Sequence, residues 1–174
     1  MSNDLTRRLA EQLDWHWAHQ LRPRLAGLTD DEYFWEPVPD CWTVHRDGTV
    51  DFAYPPPTPE PVTTIAWRLA HLIVGVLGAR THSHFGGPPA DYGTWNYALD
   101  AESALAQLDE AYAGWITGVR GLDDADLTKP CGPAEGPYAA EPMTALVLHI
   151  NREMIHHGAE IALLRDLFAH TKEN

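Results

Sequence analysis

The stretch "LHINREMIHHGAEIALLRDL", Leu148–Leu167, decides the fold, because a helical repeat of aliphatic residues here carries several histidines and glutamates. Side chains four residues apart share a helix face, so Glu153 and His157 lie on the apolar face. His149 lies near the same line, whereas His156 is rotated by about 100° towards a flank. The aliphatic residues that define this face are Leu146, Ile150, Ile161 and Leu164.

Four segments of the chain show helical periodicity of this kind. Long connections that contain proline and glycine separate them, and a helix cannot continue through such segments. The pattern predicts an all-α four-helix bundle in one domain, residues 1–174, with long loops between helices 1 and 2, 2 and 3, and 3 and 4. Simple up-down-up-down order is not assumed. The helices are expected from about Asp4 to Leu25, Thr63 to Phe85, Ala101 to Arg120 and Met143 to Ala169.

Two features of the loops add to this prediction. In "WTVHRDGTVDFA", Trp42–Ala53, an Asp-Gly pair between β-branched residues indicates a short hairpin. Cys41 and Cys131 belong to no CxxC pair, so the sequence gives no zinc knuckle or redox motif. A disulfide between these two cysteines is left open.

The charge balance excludes several classes of partner. Twelve Lys and Arg stand against 25 Asp and Glu, a formal net charge of −13. Nucleic acids and anionic membranes attract clustered basic side chains, so neither is expected as a partner. The N-terminal residues have no signal-peptide pattern, and no apolar run approaches the roughly 20 residues that span a bilayer. We therefore expect a cytoplasmic protein whose partner is a small molecule.

The second predicted helix supplies a third polar group for the same core. His71 in "TIAWRLAHLIVG", Thr64–Gly75, lies within its central apolar stretch. Together with Glu153 and His157 it would give three ligands and an open position, which is how proteins hold catalytic zinc. Nickel, iron or manganese also fit this donor set. Two alternatives stay open here, a core histidine with one hydrogen bond and a salt bridge from Glu153 to Arg68 or Arg152.

The two stretches "TIAWRLAHLIVG" and "LVLHINREMIHHGAEIALLRDL" resemble the DinB-like superfamily of metal-binding four-helix bundles, over nearly the whole chain. Helix 4 of that superfamily usually carries HXXXH. Members with thiol-dependent transferase or isomerase activity, including the mycothiol-dependent maleylpyruvate isomerases, have EXXXH instead. The resemblance implies His71, Glu153 and His157 as metal ligands, with His156 and His149 as alternates.

One departure concerns the register of this motif. If HXXXH is aligned one residue earlier, its two positions fall on Arg152 and His156. Arg152 cannot be a ligand because its guanidinium stays protonated. The register with Glu153 and His157, which the helix face also favours, is therefore preferred.

The resemblance also implies a function. We expect a divalent-metal-dependent enzyme, with zinc as the first choice of metal, that uses a low-molecular-weight thiol such as mycothiol or bacillithiol. The expected reaction is S-transfer to, or isomerisation of, a small electrophile. A non-catalytic metal- or ligand-binding bundle is the alternative, and a homodimer is left open. Candidate pocket residues in the loops and helix 2 are Trp42, Tyr54, Trp95, Tyr97, Arg46, Arg68 and Arg80.

Overall fold

The computed structural model describes residues 4–171, and within this range it has four long helices and isolated bridges but no strand. The all-α prediction is therefore confirmed. The domain prediction also covers residues 1–3 and 172–174, which lie outside the described residues. The long helices are α1 (Asp4–His16, Trp17–Leu21 and Arg22–Arg24), α2 (Ile65–Ala70, His71–Gly78 and Ala79–Phe85), α3 (Ala101–Arg120) and α4 (Met143–Thr171).

Side-chain caps explain where α2 and α3 begin. The Thr64 hydroxyl accepts a hydrogen bond from the Trp67 backbone N–H at 3.2 Å, and the Asp100 carboxylate accepts one from Ser103 N–H at 2.7 Å. Both bonds satisfy backbone donors that have no partner in the first helical turn. At its other end, α2 stops at Gly86, whose φ of 71° is left-handed.

Two of the helices contain a π-helical segment, which the sequence pattern did not predict. The segment in α1 is Trp17–Leu21, and the one in α2 is His71–Gly78. In α1 the wide turns precede Pro23, which has no N–H to donate to the helical ladder. In α2 they begin at the candidate ligand His71, and π segments occur frequently at functional sites.

Contacts between α1 and its two neighbours show the directions of three helices. Asn151 of α4 donates to the Leu9 carbonyl at 3.0 Å, and Arg24 donates to the Ala162 carbonyl at 3.0 Å. Residue numbers rise together along this pair, so α1 and α4 are parallel. In contrast, α3 runs antiparallel to α1. Its earlier residue Asp109 pairs with Arg22 near the end of α1, whereas its last residue, Arg120, pairs with Asp14 in the middle of α1.

The α2 helix lies between α3 and α4. Near its end, Phe85 packs on Trp115 of α3, with ring centroids 5.3 Å apart. Thr81 lies against Gly114 and the later residue Phe85 against Gly118, so α2 runs parallel to α3. Near its start, Arg68 pairs with Glu160 of α4, whereas Arg80 shares a cavity with the earlier residue His149, so α2 and α4 are antiparallel. The order is up, down, down, up, and it places the middle of α2 against the middle of α4.

The connection between α1 and α2 contains less regular structure than expected. A one-turn helix, Asp30–Tyr33, follows α1. The predicted hairpin forms only a tight turn, with Gly48 at a φ of 84° and one antiparallel bridge between Val44 and Val50.

The connection between α3 and α4 contains two short 3₁₀ segments, Asp126–Thr128 and Pro133–Tyr138. Cys41 and Cys131 are both free thiols.

All four long helices contribute to one core of buried side chains. Burial of such apolar surface is the main favourable contribution to folding. Between residues 4 and 171, no helix combines the length and the hydropathy that a membrane span needs. Core residues that are essentially inaccessible to solvent include Leu13, Leu69, Leu72, Leu108, Trp115, Ile150 and Met154.

Candidate metal centre

The structure brings His71, Glu153 and His157 together at the contact between α2 and α4. Each can offer one ligand atom such that all three atoms lie within 4.8 Å of one another. His71 begins the π segment of α2, and the other two residues are four apart on α4. Three such donors match the two imidazoles and one carboxylate that commonly hold a catalytic divalent ion. The donor set and its spacing therefore fit a metal ion.

Both nitrogens of His157 face carboxylates of its own helix. Its Nε2 lies 3.2 Å from Glu153 Oε2, and its Nδ1 lies 2.7 Å from Glu160 Oε2. A metal-ligating histidine characteristically binds through one nitrogen and donates the other N–H to a carboxylate or carbonyl. Glu160 is placed for that supporting role, which leaves Nε2 of His157 towards Glu153.

His71 has a different environment, since its ring lies among aromatic side chains. It stacks on Trp67 at 5.4 Å between centroids, and its Nδ1 lies 2.6 Å from the Tyr92 hydroxyl. Nε2 makes no hydrogen bond with any residue from 4 to 171. Burial lowers the pKa of His71 to about 3, with smaller contributions from His157 and nearby arginines. The imidazole is thus neutral at pH 7, the form that binds a metal ion.

Gly75 makes the contact between Tyr92 and His71 geometrically feasible. A Cβ atom on Gly75 would lie 2.0 Å from the Tyr92 hydroxyl oxygen, far inside van der Waals contact. Only glycine leaves room for the phenol at this point of the π segment. The sequence shows this glycine in "HLIVGVLG", His71–Gly78, but nothing in its spacing indicates the approach of a loop residue.

Arg68 is held by Glu160 and not by Glu153, which answers one of the alternatives above. Its Nε lies 3.0 Å from Glu160 Oε2, and its Nη1 lies 3.2 Å from His157 Nδ1. The Nε contact is a close ion pair without hydrogen-bond alignment, since this buried nitrogen has no hydrogen-bond partner in the part of the chain described. Glu153 Oε1 lies 3.6 Å from Arg152 Nε. The alternative ion pair from Glu153 to Arg152 is therefore present, with an Arg152 side chain that is 70% exposed, while the other carboxylate oxygen of Glu153 lies 3.2 Å from His157 Nε2.

The two alternate ligands stand apart from the main group. His156 belongs to a second group with His157 and Glu160, but its side chain is 63% exposed. Arg68 lies against the other two members of that second group, and its positive charge disfavours a cation there. His149 lies 3.5 Å from Glu153 and accepts a hydrogen bond from Arg152 at 2.6 Å. Burial lowers the pKa of His149.

A cavity of about 680 Å³ lies next to the candidate metal centre, and although none of the three candidate ligands lines it, its wall residues His149 and Arg152 lie 3.5 Å and 3.6 Å from Glu153. Its walls are the early part of α4, the loop that precedes it, and Arg80 of α2. Ligand sites typically have volumes of about 300 to 1,000 Å³. The charged or reactive side chains that line the cavity are Arg80, Cys131, Glu135, Glu141, His149 and Arg152.

The aromatic residues proposed from the sequence do not line this cavity. Trp42 packs on Trp67 at 5.6 Å, which closes the far side of His71, and Tyr97 donates to the Tyr92 carbonyl at 2.8 Å. Tyr54 is 89% exposed, and Trp95 lines a smaller cavity beside α3. Of the candidate arginines, Arg46 lies over the Phe34 ring, 4.0 Å from its centroid, and Arg80 alone lines the cavity.

Sequence reasoning did not identify Tyr92 and Glu160 as supporting residues of the centre. Tyr92 lies in a loop, where no periodicity indicates which way a side chain points. The Glu160 carboxylate lies near both His156, on the flank of α4, and His157, on its apolar face. The three-residue spacing from His157 to Glu160 was the available signal.

Comparison with known proteins gives one match. A family model of the DinB superfamily matches residues 12–161, a range that includes all three candidate ligands. Neither the curated proteins nor the solved structures gave a match.

Proposed function

Because the chain belongs to the DinB superfamily, we propose that it is a divalent-metal-dependent enzyme that uses a low-molecular-weight thiol. The proposed reaction is S-transfer to a small electrophile, or isomerisation of such a molecule. The observation that carries this proposal is the three-ligand group His71, Glu153 and His157 beside a cavity large enough for a small molecule. Zinc is the first choice of metal, and nickel, iron or manganese suit the same donors.

The residues of the chain would hold the reacting groups in the following way. When bound, the divalent ion would supply a positive charge that favours the thiolate form of a coordinated thiol. The Tyr92 hydroxyl and the Glu160 carboxylate fix the two imidazoles, so both can present Nε2 to one point. The aromatic stack beyond His71 excludes water from one side. Substrates would therefore approach from the cavity.

A non-catalytic role for the metal is the second candidate. A structural zinc site is normally closed by four protein ligands, whereas a catalytic site keeps a position open. Within residues 4–171, the group around His71 has three members, and no fourth side chain joins them. This count favours the enzyme over the structural role.

Metal analysis followed by a thiol assay tests the proposal. Protein purified without an affinity tag should contain close to one divalent ion per chain, and H71A should lose it. The loaded protein should then accelerate the reaction of monochlorobimane with at least one thiol from a panel containing mycothiol, bacillithiol and cysteine. Metal that survives H71A would contradict the site. Metal binding without acceleration by any thiol would favour the non-catalytic role.

A further inference from the structure

Arg68 is a buried positive charge next to a group of side chains that fits a divalent cation. Its side chain is only 16% exposed, and its Nη1 lies 3.2 Å from Nδ1 of the candidate ligand His157. Burial lowers the pKa of Arg68, but a guanidinium group stays protonated in proteins. Like charges repel more strongly in a protein interior than in water, so Arg68 should weaken metal binding. A role in holding the metal ion therefore does not explain its position.

Two contacts keep this charge in place. Arg68 Nε lies 3.0 Å from Glu160 Oε2, and the guanidinium carbon lies over the Trp67 ring, 5.2 Å from its centroid. Arg68 faces Nδ1 of His157, whereas Glu153 faces Nε2 of the same ring. The imidazole ring thus separates the guanidinium group from Glu153. Arg68 would act on a molecule bound to the metal through its charge and not by contact.

The charges at the centre would not cancel once a divalent ion is bound. Glu153 and Glu160 carry one negative charge each, and both histidines of the centre would bind as neutral imidazoles. Without Arg68, the two carboxylates would balance the two positive charges of the ion. With Arg68, one positive charge is left in excess. One monoanion at the open coordination position would neutralise it.

Other charged groups near the centre leave this balance unchanged. Arg80 is paired with Glu135, whose side chain is only 8% exposed. Glu60, which also acts on Arg68, and Arg152, which lies near the centre with a side chain 70% exposed, are opposite in sign and face solvent. Water and salt screen exposed charges of this kind. The excess charge is therefore that of Arg68.

We infer that Arg68 sets the ligand preference of the loaded centre: it weakens binding of the divalent ion but makes the centre select a monoanion over a neutral molecule at its open position. The inference rests on the metal centre of the proposed function and names a residue that determines the specificity of that centre. A thiolate is one such monoanion, and azide is another. Arg68 would thereby favour the deprotonated form of a bound thiol without touching it.

Two small ligands separate charge from coordination. Azide is a monoanion, whereas imidazole at mildly alkaline pH is neutral, and both change the visible absorption of protein-bound Co²⁺. The affinity for Co²⁺ is measured first, by competition with a chromophoric chelator. The Co²⁺-loaded protein is then titrated with each small ligand. The variant R68M removes the charge at a similar side-chain length, and R68K keeps it.

The variant R68M should change two affinities in opposite directions. We expect it to bind Co²⁺ about three- to tenfold more tightly and azide about tenfold more weakly, with imidazole unchanged. R68K should stay closer than R68M to the unsubstituted protein for both Co²⁺ and azide. A purely structural role of Arg68 predicts instead that R68M binds Co²⁺, azide and imidazole all more weakly. That joint loss, or an unchanged azide affinity in R68M, would overturn the inference.

Two further variants test the same balance of charge from other positions. E160Q removes the negative charge beside Arg68, so it should bind Co²⁺ more weakly and azide more tightly, and it serves as the test should R68M fail to fold. R152M is the matched control for loss of an exposed arginine, and it should change azide affinity by less than about threefold. Weaker azide binding in E160Q, or a loss in R152M equal to that in R68M, would contradict the role of Arg68.

The proposed function and this inference fail in different ways. If azide affinity depends on Arg68 but no thiol of the panel reacts, the inference holds and the thiol chemistry is wrong. If a thiol reacts and R68M binds azide as tightly as the unsubstituted protein, the proposed function holds and the inference is wrong. Absence of Co²⁺ binding by the unsubstituted protein would overturn both.

Discussion

The two imidazoles of the candidate centre lie in opposite kinds of surroundings. His71, on α2, lies between aromatic rings and has a phenol hydroxyl as its polar partner. His157, on α4, lies between two carboxylates and next to a guanidinium group. One side of the centre is therefore organised by shape and burial, and the other by charge.

This difference indicates that the two sides of the centre would contribute to metal binding in different ways. Burial keeps His71 neutral and fixes its ring, but an aromatic wall offers little compensation for the charge of a cation. Carboxylates on the α4 side supply that compensation, which Arg68 partly offsets. A centre of this kind should tolerate the loss of neither imidazole, but it should respond differently when the partners of the two imidazoles are removed.

Removal of a ligand should have the largest effect. We expect H157A to reduce metal affinity by more than the roughly 10- to 100-fold that loss of an outer partner causes. The neighbouring variant H156A is the matched control, because His156 is exposed and lies outside the group of three ligands. Metal content after dialysis against a weak chelator measures both. Loss of metal in H156A but not in H157A would reverse the assignment.

Removal of the outer partners should distinguish the two sides. Y92F removes the hydroxyl next to Nδ1 of His71, and E160Q replaces the carboxylate next to Nδ1 of His157 by a neutral amide. Each should weaken metal binding by about 10- to 100-fold. We expect the larger loss in E160Q, since it also leaves Arg68 without its counter-charge. Competition titrations with a chromophoric chelator give both affinities.

Salt dependence sharpens the same comparison. The loss in E160Q should shrink as ionic strength rises, because Glu160 is partly exposed and added salt screens its charge. The loss in Y92F should stay constant, since the phenol is neutral. A salt-dependent loss in Y92F would show that the aromatic side also acts through charge.

Much of this fold was predictable from local patterns. Apolar periodicity predicted α3 from about Ala101 to Arg120, and the structure confirms both ends. The π segments were not predictable, because widened turns leave an apolar stretch such as Leu72–Leu77 looking like an ordinary helix. Helix directions depend on the paths that the long loops take across the bundle, and local periodicity carries no information about those paths.

The candidate centre was likewise predictable from the sequence only in part. Spacing on one helix brought Glu153 and His157 together, and one inward histidine on α2 completed the group. Tyr92 and Gly75 contribute through a loop that packs on a helix, so their relation depends on tertiary structure and not on spacing. Metal binding itself stays a prediction.

Gly75 tests whether shape organises the aromatic side. In G75A the new methyl group would collide with the Tyr92 hydroxyl, so we expect a loss of about 1–3 kcal/mol in the free energy of unfolding. The sign is informative, because alanine in a helix interior ordinarily stabilises relative to glycine by about 0.5–1 kcal/mol. Urea denaturation of the metal-free protein measures the change.

The control for this variant removes the colliding group. In a Y92A background the ring is absent, so G75A should cost nothing or should stabilise the protein. The difference between the two backgrounds is the coupling energy between positions 75 and 92. Equal losses in both backgrounds would mean that the π segment itself, and not Tyr92, requires glycine.

The smallest effect concerns the pH dependence of the metal-free protein. In the unfolded chain His71 takes up a proton near its ordinary pKa of 6.5, but in the fold burial lowers the pKa to about 3. The unfolded state therefore binds more protons between these values, and acid favours unfolding. The stability due to neutral His71 is fully present above pH 6.5 and decreases as pH falls towards 3.

The variant H71Q tests this expectation when it is treated with a chelator and unfolded by urea at several pH values. Its free energy of unfolding should fall less steeply between pH 6.5 and 5 than that of the unsubstituted protein. If the free energy of unfolding varies with pH in the same way in both proteins, His71 is as readily protonated in the fold as in the unfolded chain. The contrast between the buried aromatic side of the centre and its charged side would then be contradicted.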